Sequence, residues 1–226
     1  VSFYTPLVIE YYDAYSANTY SYEETSGKFA VHTVSSNLMV KNIEGVRAKN
    51  SYSDMSDTID LLKLKVGLNV GSAPVDMNNV LISITDGKST NVLVYAGNRQ
   101  SGQTMSGFST SSAVSNVRQL LIGSSNPEKY YTMEKIRDED ASFTQVNPIM
   151  NTGDLVTLYI ATTSSSSTGY STVGSLSTPE LVSSNLKLTP RTMVNIVLTP
   201  GSGAATTAGF VTPSAYGVKE TVALYP

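Results

Sequence analysis

Residues 59–96, IDLLKLKVGLNVGSAPVDMNNVLISITDGKSTNVLVYA, constrain the fold more than any other stretch of the chain. Leu62, Leu64, Val66, Leu68 and Val70 alternate with Lys63, Lys65, Gly67 and Asn69. A period of two sends one row into a core and the other outward, as in a strand. Gly-Ser-Ala-Pro at 71–74 then turns the chain, and residues 80–85 form a second strand with Val80, Ile82 and Ile84 inward. Asp86-Gly87 supplies the positive φ angles of a two-residue type I′ hairpin turn. Residues 91–96 return as a third strand. These signals predict a β-meander and a mainly β fold.

The residue inventory then narrows function. At 226 residues the chain can bury a real core without covalent staples. It has no cysteine, which excludes disulfides and thiolate metal sites. The single histidine, His32, leaves no basis for a nucleophilic triad or a histidine-ligated zinc. It has no partner pattern and reads as structural. The net charge of −3 argues against a nucleic-acid or anionic-membrane partner. No apolar run reaches the roughly 18 residues of a membrane span. Charged residues are sparse at 15%, while Ser, Thr, Asn, Gly and Tyr are plentiful. That profile suits an extracellular β-rich surface protein better than a cytoplasmic enzyme. The start at Val1 reads as a removed leader or a mature terminus.

Residues 1–40 read differently from the rest. Thr5-Pro6 resembles an N-cap with proline at the first helical position. Phe3, Leu7, Tyr11 and Tyr15 recur at four-residue spacing, with Val8 and Tyr12 beside them, as on one face of a helix. The spacing predicts a long N-terminal helix over residues 1–32. Tyr and Thr also favour sheets, so a pair of strands stays open as the other reading.

Beyond the meander, residues 97–116 read as a long Gly/Ser/Thr loop. Residues 117–122, 130–137, 154–160, 191–199 and 220–225 read as strands. Residues 162–178 are nearly all Ser, Thr and Gly and read as a solvated loop or a thin edge ribbon, too poor in apolar groups to pack. Leu61, Leu81, Leu93, Tyr95, Tyr159, Met193 and Val197 fall on nominally outward rows. That many apolar groups imply that both sheet faces are covered, by loops, by the N-terminal segment or by neighbouring copies. The pattern of strands and turn clusters predicts a β-sandwich.

One constellation could carry site chemistry. Asp138, Glu139, Asp140 and the later Asp154 could gather around a hard cation, Ca²⁺ or Mg²⁺, which takes oxygen ligands. Their spacing fits no EF-hand loop, and acidic turns are commonly just solvated. Gly201-Ser-Gly203 lacks the lysine and following helix of a phosphate loop. There is no Asn-x-Ser/Thr sequon, so any sugars would be O-linked on the Ser/Thr tracts.

Several segments resemble one family in order along the chain. They are Thr33-Val-Ser-Ser-Asn-Leu-Met39, the stretch 59–80 with its GSAPVDMNNV core, and Asp138–Asp140 followed by Asn151-Thr-Gly-Asp154. LTPRTMVNIVLTP at 188–200, Gly209-Phe-Val-Thr-Pro213 and Leu224-Tyr-Pro226 complete the set. Together they resemble the archaellins, the archaeal flagellins, over roughly residues 33–226. The resemblance implies an Ig-like β-sandwich outer domain at residues 33–226, preceded by a long N-terminal α-helix that packs in a filament core. Residues 1–32 depart from the family's strongly apolar N-terminus, being Tyr-rich, partly polar and shorter. The implied protein is no enzyme. It is an extracellular cell-surface motility filament subunit whose partners are identical or similar subunits, with no cofactor and no membrane contact once assembled. Phe3, Leu7, Val8, Tyr11, Tyr12 and Tyr15 would then be assembly residues. The alternative is a non-polymerising adhesin or carbohydrate-binding sandwich.

Overall fold

The computed structural model describes residues 19–25, 28–34, 37–97 and 106–225. Along the chain, β1 (Thr19–Thr25) and β2 (Lys28–Val34) are followed by β3 (Leu38–Val46), β4 (Ala48–Ser51), β5 (Asp54–Met55) and β6 (Leu61–Leu68). After β7 (Val75–Asp76) and a 3-10 turn at Met77–Asn79 come β8 (Leu81–Thr85) and β9 (Thr90–Tyr95). Two helices, α1 (Thr110–Ile122) and α2 (Asn126–Lys129), precede β10 (Tyr130–Arg137), β11 (Ile149–Met150) and β12 (Leu155–Ala161). The chain closes with β13 (Thr172–Val173), β14 (Leu176–Ser177), β15 (Met193–Thr199), β16 (Thr206–Val211) and β17 (Thr221–Tyr225).

The main sheet has nine strands in the order β16-β15-β8-β9-β10-β12-β6-β3-β17. A parallel link of only two residue pairs, Tyr130–Val94 and Tyr131–Tyr95, joins its halves. The halves face each other, and their inward rows form one core. Leu64, Val66, Leu158 and Ile43 come from one side, and Ile82, Ile84, Ile196 and Phe210 from the other. A parallel bridge between Asn37 and Ala204 ties the two ends of the sheet. The result is a mainly β, two-layered body. The alternation in residues 62–68 behaves as expected, with every apolar member buried. Val70 does not follow, because β6 ends at Leu68 and Val70 is 95% exposed.

The hairpin at Asp86-Gly87 exists, with a different turn. Asp86 N–H donates to the Ser89 carbonyl at 3.3 Å, so Gly87 and Lys88 are the central pair. Gly87 has φ +85°, whereas Lys88 is not among the positive-φ residues. A type I′ turn needs positive φ at both central positions, so this turn is not I′.

Residues 110–122 correct the expected loop and strand. They form α1, started by the Ser109 side chain, which accepts from Ser112 N–H. Ala113, Val117, Leu120 and Leu121 share its buried face at helical spacing. That face packs with Leu61, Val46, Ala161 and Leu181 into a second core on the outer side of the β3-β6-β12 layer. This explains the outward Leu61, which is buried there. Leu93 and Tyr95 lie in the main core instead, so their row points inward.

Residues 162–178 correct the solvated-loop expectation as well. Thr162, Thr163, Ser164, Ser167, Val173 and Thr178 are all buried. The tract lines its hydroxyls against a buried carboxylate, and that partner is what its composition concealed.

At the N-terminus the described part of the expected helix is strand. β1 and β2 pair antiparallel with Thr19 opposite Val34 and Thr25 opposite Lys28. The Tyr- and Thr-rich composition suits this pairing. His32 sits in β2 opposite Ser21. Phe3, Leu7, Val8, Tyr11, Tyr12 and Tyr15, with the rest of residues 1–18, lie outside the described residues.

Candidate functional site

Three of the four acidic residues come together. Asp138 follows the last residue of β10, Asp140 sits in the next turn, and Asp154 directly precedes β12. Their carboxylate oxygens lie within 4.8 Å of one another. Glu139 is not part of the group, since its side chain is exposed and lies 3.8 Å from Arg137 Nε. The antiparallel pairing of β10 and β12 explains the meeting, because it returns Asp154 alongside the end of β10.

The cluster is held by donors on every side. Lys135 Nζ reaches Asp138 Oδ2 at 2.8 Å. Ser142 N–H donates to Asp138 Oδ1 at 3.1 Å and to Asp140 Oδ1 at 3.0 Å. Asn151 Nδ2 donates to Asp140 Oδ2 at 2.7 Å, and Asn151 N–H to Asp154 Oδ2 at 2.7 Å. Hydrogen bonds from Ser142 and Asn151 hold Asp140 down at about 2. Asp154 moves the other way: burial raises it, and the charges of Asp140 and Asp138 add to the rise. Among the described residues, Lys135 is the lysine paired with these three carboxylates, through Asp138. Oxygen-rich clusters of this kind fit a hard cation such as Ca²⁺ or Mg²⁺.

A second polar constellation was not legible in the sequence. Asp60, fully buried, accepts from Ala48 N–H at 2.7 Å and from Thr58 Oγ1 at 2.8 Å. Thr58 Oγ1 also lies 2.8 Å from Ser56 Oγ and 3.2 Å from Ser164 Oγ. Thr162 Oγ1 donates to the Ile59 carbonyl at 2.8 Å. Burial pushes the Asp60 carboxyl up, while the Ala48 N–H and the hydroxyls of Ser167, Thr58 and Ser56 pull it back. Beside it, buried Arg47 donates to the carbonyls of Ser56, Gly217 and Lys219 at 2.7, 2.9 and 3.0 Å. It also lies over the Tyr216 ring at 5.6 Å. These contacts fasten the segment before β17 to the sandwich. They are structural, as buried polar groups generally are when every partner is supplied.

Neither constellation has the parts of a catalytic site, a nucleophile with a base in reach and an oriented third group. Among the described residues no helix is long and apolar enough to cross a membrane.

The architecture is that of a mainly β, two-layered domain. Comparison with known proteins gives its family. The archaeal-type flagellin family matches residues 18–210, so the chain belongs to the archaeal-type flagellins. Flagellin B2 of Methanocaldococcus jannaschii is 29% identical over 191 residues, covering 84% of this chain and 73% of that protein. Flagellin B1 of Thermoplasma volcanium is 25% identical over 158 residues, covering 65% of this chain and 64% of that protein. The crystal structure of flagellin FlaB1 from M. jannaschii shares the fold, with a TM-score of 0.55 at 21% identity, covering 84% of this chain and 97% of that one. The chain is therefore a structural filament subunit of the archaeal flagellin kind. Its family is one of filament proteins and not of enzymes.

Proposed function

We propose that the chain polymerises with identical or similar copies into a helical filament outside the cell, swimming being the filament's task. Residues 33–226 form its Ig-like outer domain, and residues 1–32 carry the main assembly contacts through Phe3, Leu7, Val8, Tyr11, Tyr12 and Tyr15. The observation that carries this reading is the family match over residues 18–210, joined to a two-layered β-body. A single heterologous contact repeated along an axis gives an open filament, not a closed ring. No cofactor enters the chemistry. O-linked sugars belong on exposed hydroxyls such as Ser165 and Ser166, because their neighbours Ser164 and Ser167 are buried. Negative-stain images of the native protein test the reading. Long uniform filaments are expected. Dispersed particles that bind a glycan would establish the adhesin alternative.

The acidic cluster supports a second proposal, that Asp138, Asp140 and Asp154 hold one structural Ca²⁺ or Mg²⁺. The cation would offset their mutual repulsion and pin the turn after β10 to the start of β12. Calcium added to metal-free protein is expected to raise the unfolding temperature. Asp154→Asn should abolish that rise. An unchanged unfolding temperature in the unsubstituted protein at millimolar Ca²⁺ and Mg²⁺ would remove the cation from the account.

A further inference from the structure

The two layers of the sandwich differ in how their outer faces are covered. The β3-β6-β12 layer carries its own lid, α1 with the β13-β14 hairpin. The β16-β15-β8-β9 layer has no such lid among the described residues. Leu81, Val92, Met193 and Val211 stand on its outer face at 44, 59, 62 and 55% exposure. Val94 and Val197 lie between them, half-buried. Register places Met193 opposite Val211, and Val197 opposite Ser83, which is opposite Val92. Asn195 and Gly209 separate the two apolar groups, and Gly209 leaves a shallow hollow over which only the Asn195 side chain leans. These four strands contain no Asp, Glu, Lys or Arg.

We propose that this uncharged outer face of β16-β15-β8-β9 is a lateral contact surface for a second copy of the chain in the filament. The proposal rests on the filament-subunit reading above, and two arguments select the occupant. Every copy carries the same net charge of −3, and an uncharged face adds no local like-charge repulsion when two copies approach. This face is uncharged across four adjacent strands. Its size points the same way. Four strands about 4.8 Å apart and about six residues long present roughly 400 Å². A stable isolated pair needs about 800 Å² on each partner. The face is too small to hold a dimer in solution and large enough to exceed a scattered surface residue. It suits a contact repeated at every subunit of an assembly held mainly elsewhere.

The absence of cysteine makes the test direct. Val92→Cys and Met193→Cys each introduce the sole thiol, at solvent-facing positions where the fold tolerates a smaller side chain. Val218→Cys, at a position 88% exposed and off this face, serves as the control. Each full-length variant is labelled with a maleimide, once as filaments and once as dissociated subunits. Labelling at positions 92 and 193 is expected to slow roughly tenfold or more in filaments, while position 218 reacts alike in both states. Equal labelling of positions 92 and 193 in both states would overturn the proposal with the filament reading intact. Protection already present in dissociated subunits would also overturn it, since residues of the same chain would then cover the face. Failure of the unsubstituted protein to form filaments at all would instead overturn the reading on which the proposal rests.

Discussion

Asp60 is the residue whose environment most exceeds what its neighbours in sequence announce. It is a carboxylate with no counter-ion at hydrogen-bond distance, kept by one N–H and a ring of hydroxyls. Replacing it by leucine strands Ala48 N–H in the interior and takes from the hydroxyls of Thr58, Ser56 and Ser167 the acceptor they gather round. Each unsatisfied buried group costs about 1–3 kcal/mol, so Asp60→Leu is expected to lower stability by several kcal/mol in denaturant unfolding. Asp60→Asn keeps an oxygen for Ala48 and an amide for Thr58, and should fold. Its signature is in pH. Burial raises the folded-state value of Asp60 above the unfolded one, so the native state holds the proton more tightly. The favourable contribution is complete below the unfolded value of about 3.9 and is lost as pH rises through the raised folded value. The stability of the unsubstituted protein minus that of Asp60→Asn should therefore fall as pH increases from about 3 toward neutrality. A flat difference curve would mean that Asp60 is not desolvated as described. Gly87 offers a simpler case at the same scale. Nothing lies within 4 Å of an added Cβ there, so the penalty of Gly87→Val is purely conformational. At φ +85° it should be about 1–3 kcal/mol, seen as a lower unfolding temperature.

At the scale of elements, α1 and the Ser/Thr tract separate what the chain's pattern reveals from what it hides. The strands around Asp86-Gly87 were legible because apolar and polar residues alternate there without interruption. The meeting of Asp138, Asp140 and Asp154 was legible as a candidate from residue type alone, although Glu139 has the right chemistry and the wrong direction. α1 escaped because its first turn, Thr-Ser-Ser, has the composition of a loop. The available signals were Ser109 as N-cap and Ala113, Val117, Leu120 and Leu121 at spacings of three and four. Losing that cap through Ser109→Ala should cost about 1 kcal/mol. The expected result is a modest fall in unfolding midpoint with the β-sheet signal unchanged. Residues 162–178 escaped for a different reason. Hydroxyl-rich tracts pack only when a buried polar partner awaits them, and Asp60 is some hundred positions away in the chain. Deleting residues 164–167 removes the Ser164 and Ser167 hydroxyls and the turn that joins them. Soluble, cooperatively folded protein after that deletion would show the network to be dispensable. The structure predicts loss of folded protein.

At the scale of the whole molecule, the segment proposed to carry the main assembly contacts lies outside the sandwich. Every pairing of the nine-stranded sheet lies at or beyond Leu38, and the bridge that ties its ends begins at Asn37. Removing residues 1–36 should therefore leave a folded sandwich, with an unfolding transition close to that of the full chain. It should also leave a monomer. The bare outer face presents only roughly 400 Å², about half of what each partner of a stable pair contributes. The assembly contacts proposed at Phe3, Leu7, Val8, Tyr11, Tyr12 and Tyr15 go with the deleted residues. Burying each of those side chains contributes about 1.5–3 kcal/mol before ordering costs are met. That is enough for a pair of aspartates, Leu7→Asp with Tyr11→Asp, to block polymerisation in the full chain while leaving the sandwich intact. Sedimentation and electron microscopy read both experiments. A truncated protein that still grew normal filaments would move the main contact onto the sandwich itself, with Leu81, Val92 and Met193 the first residues to change. A full chain whose filaments survived the double aspartate would do the same to those two positions alone, and would leave the remaining N-terminal aromatics to be tested one by one.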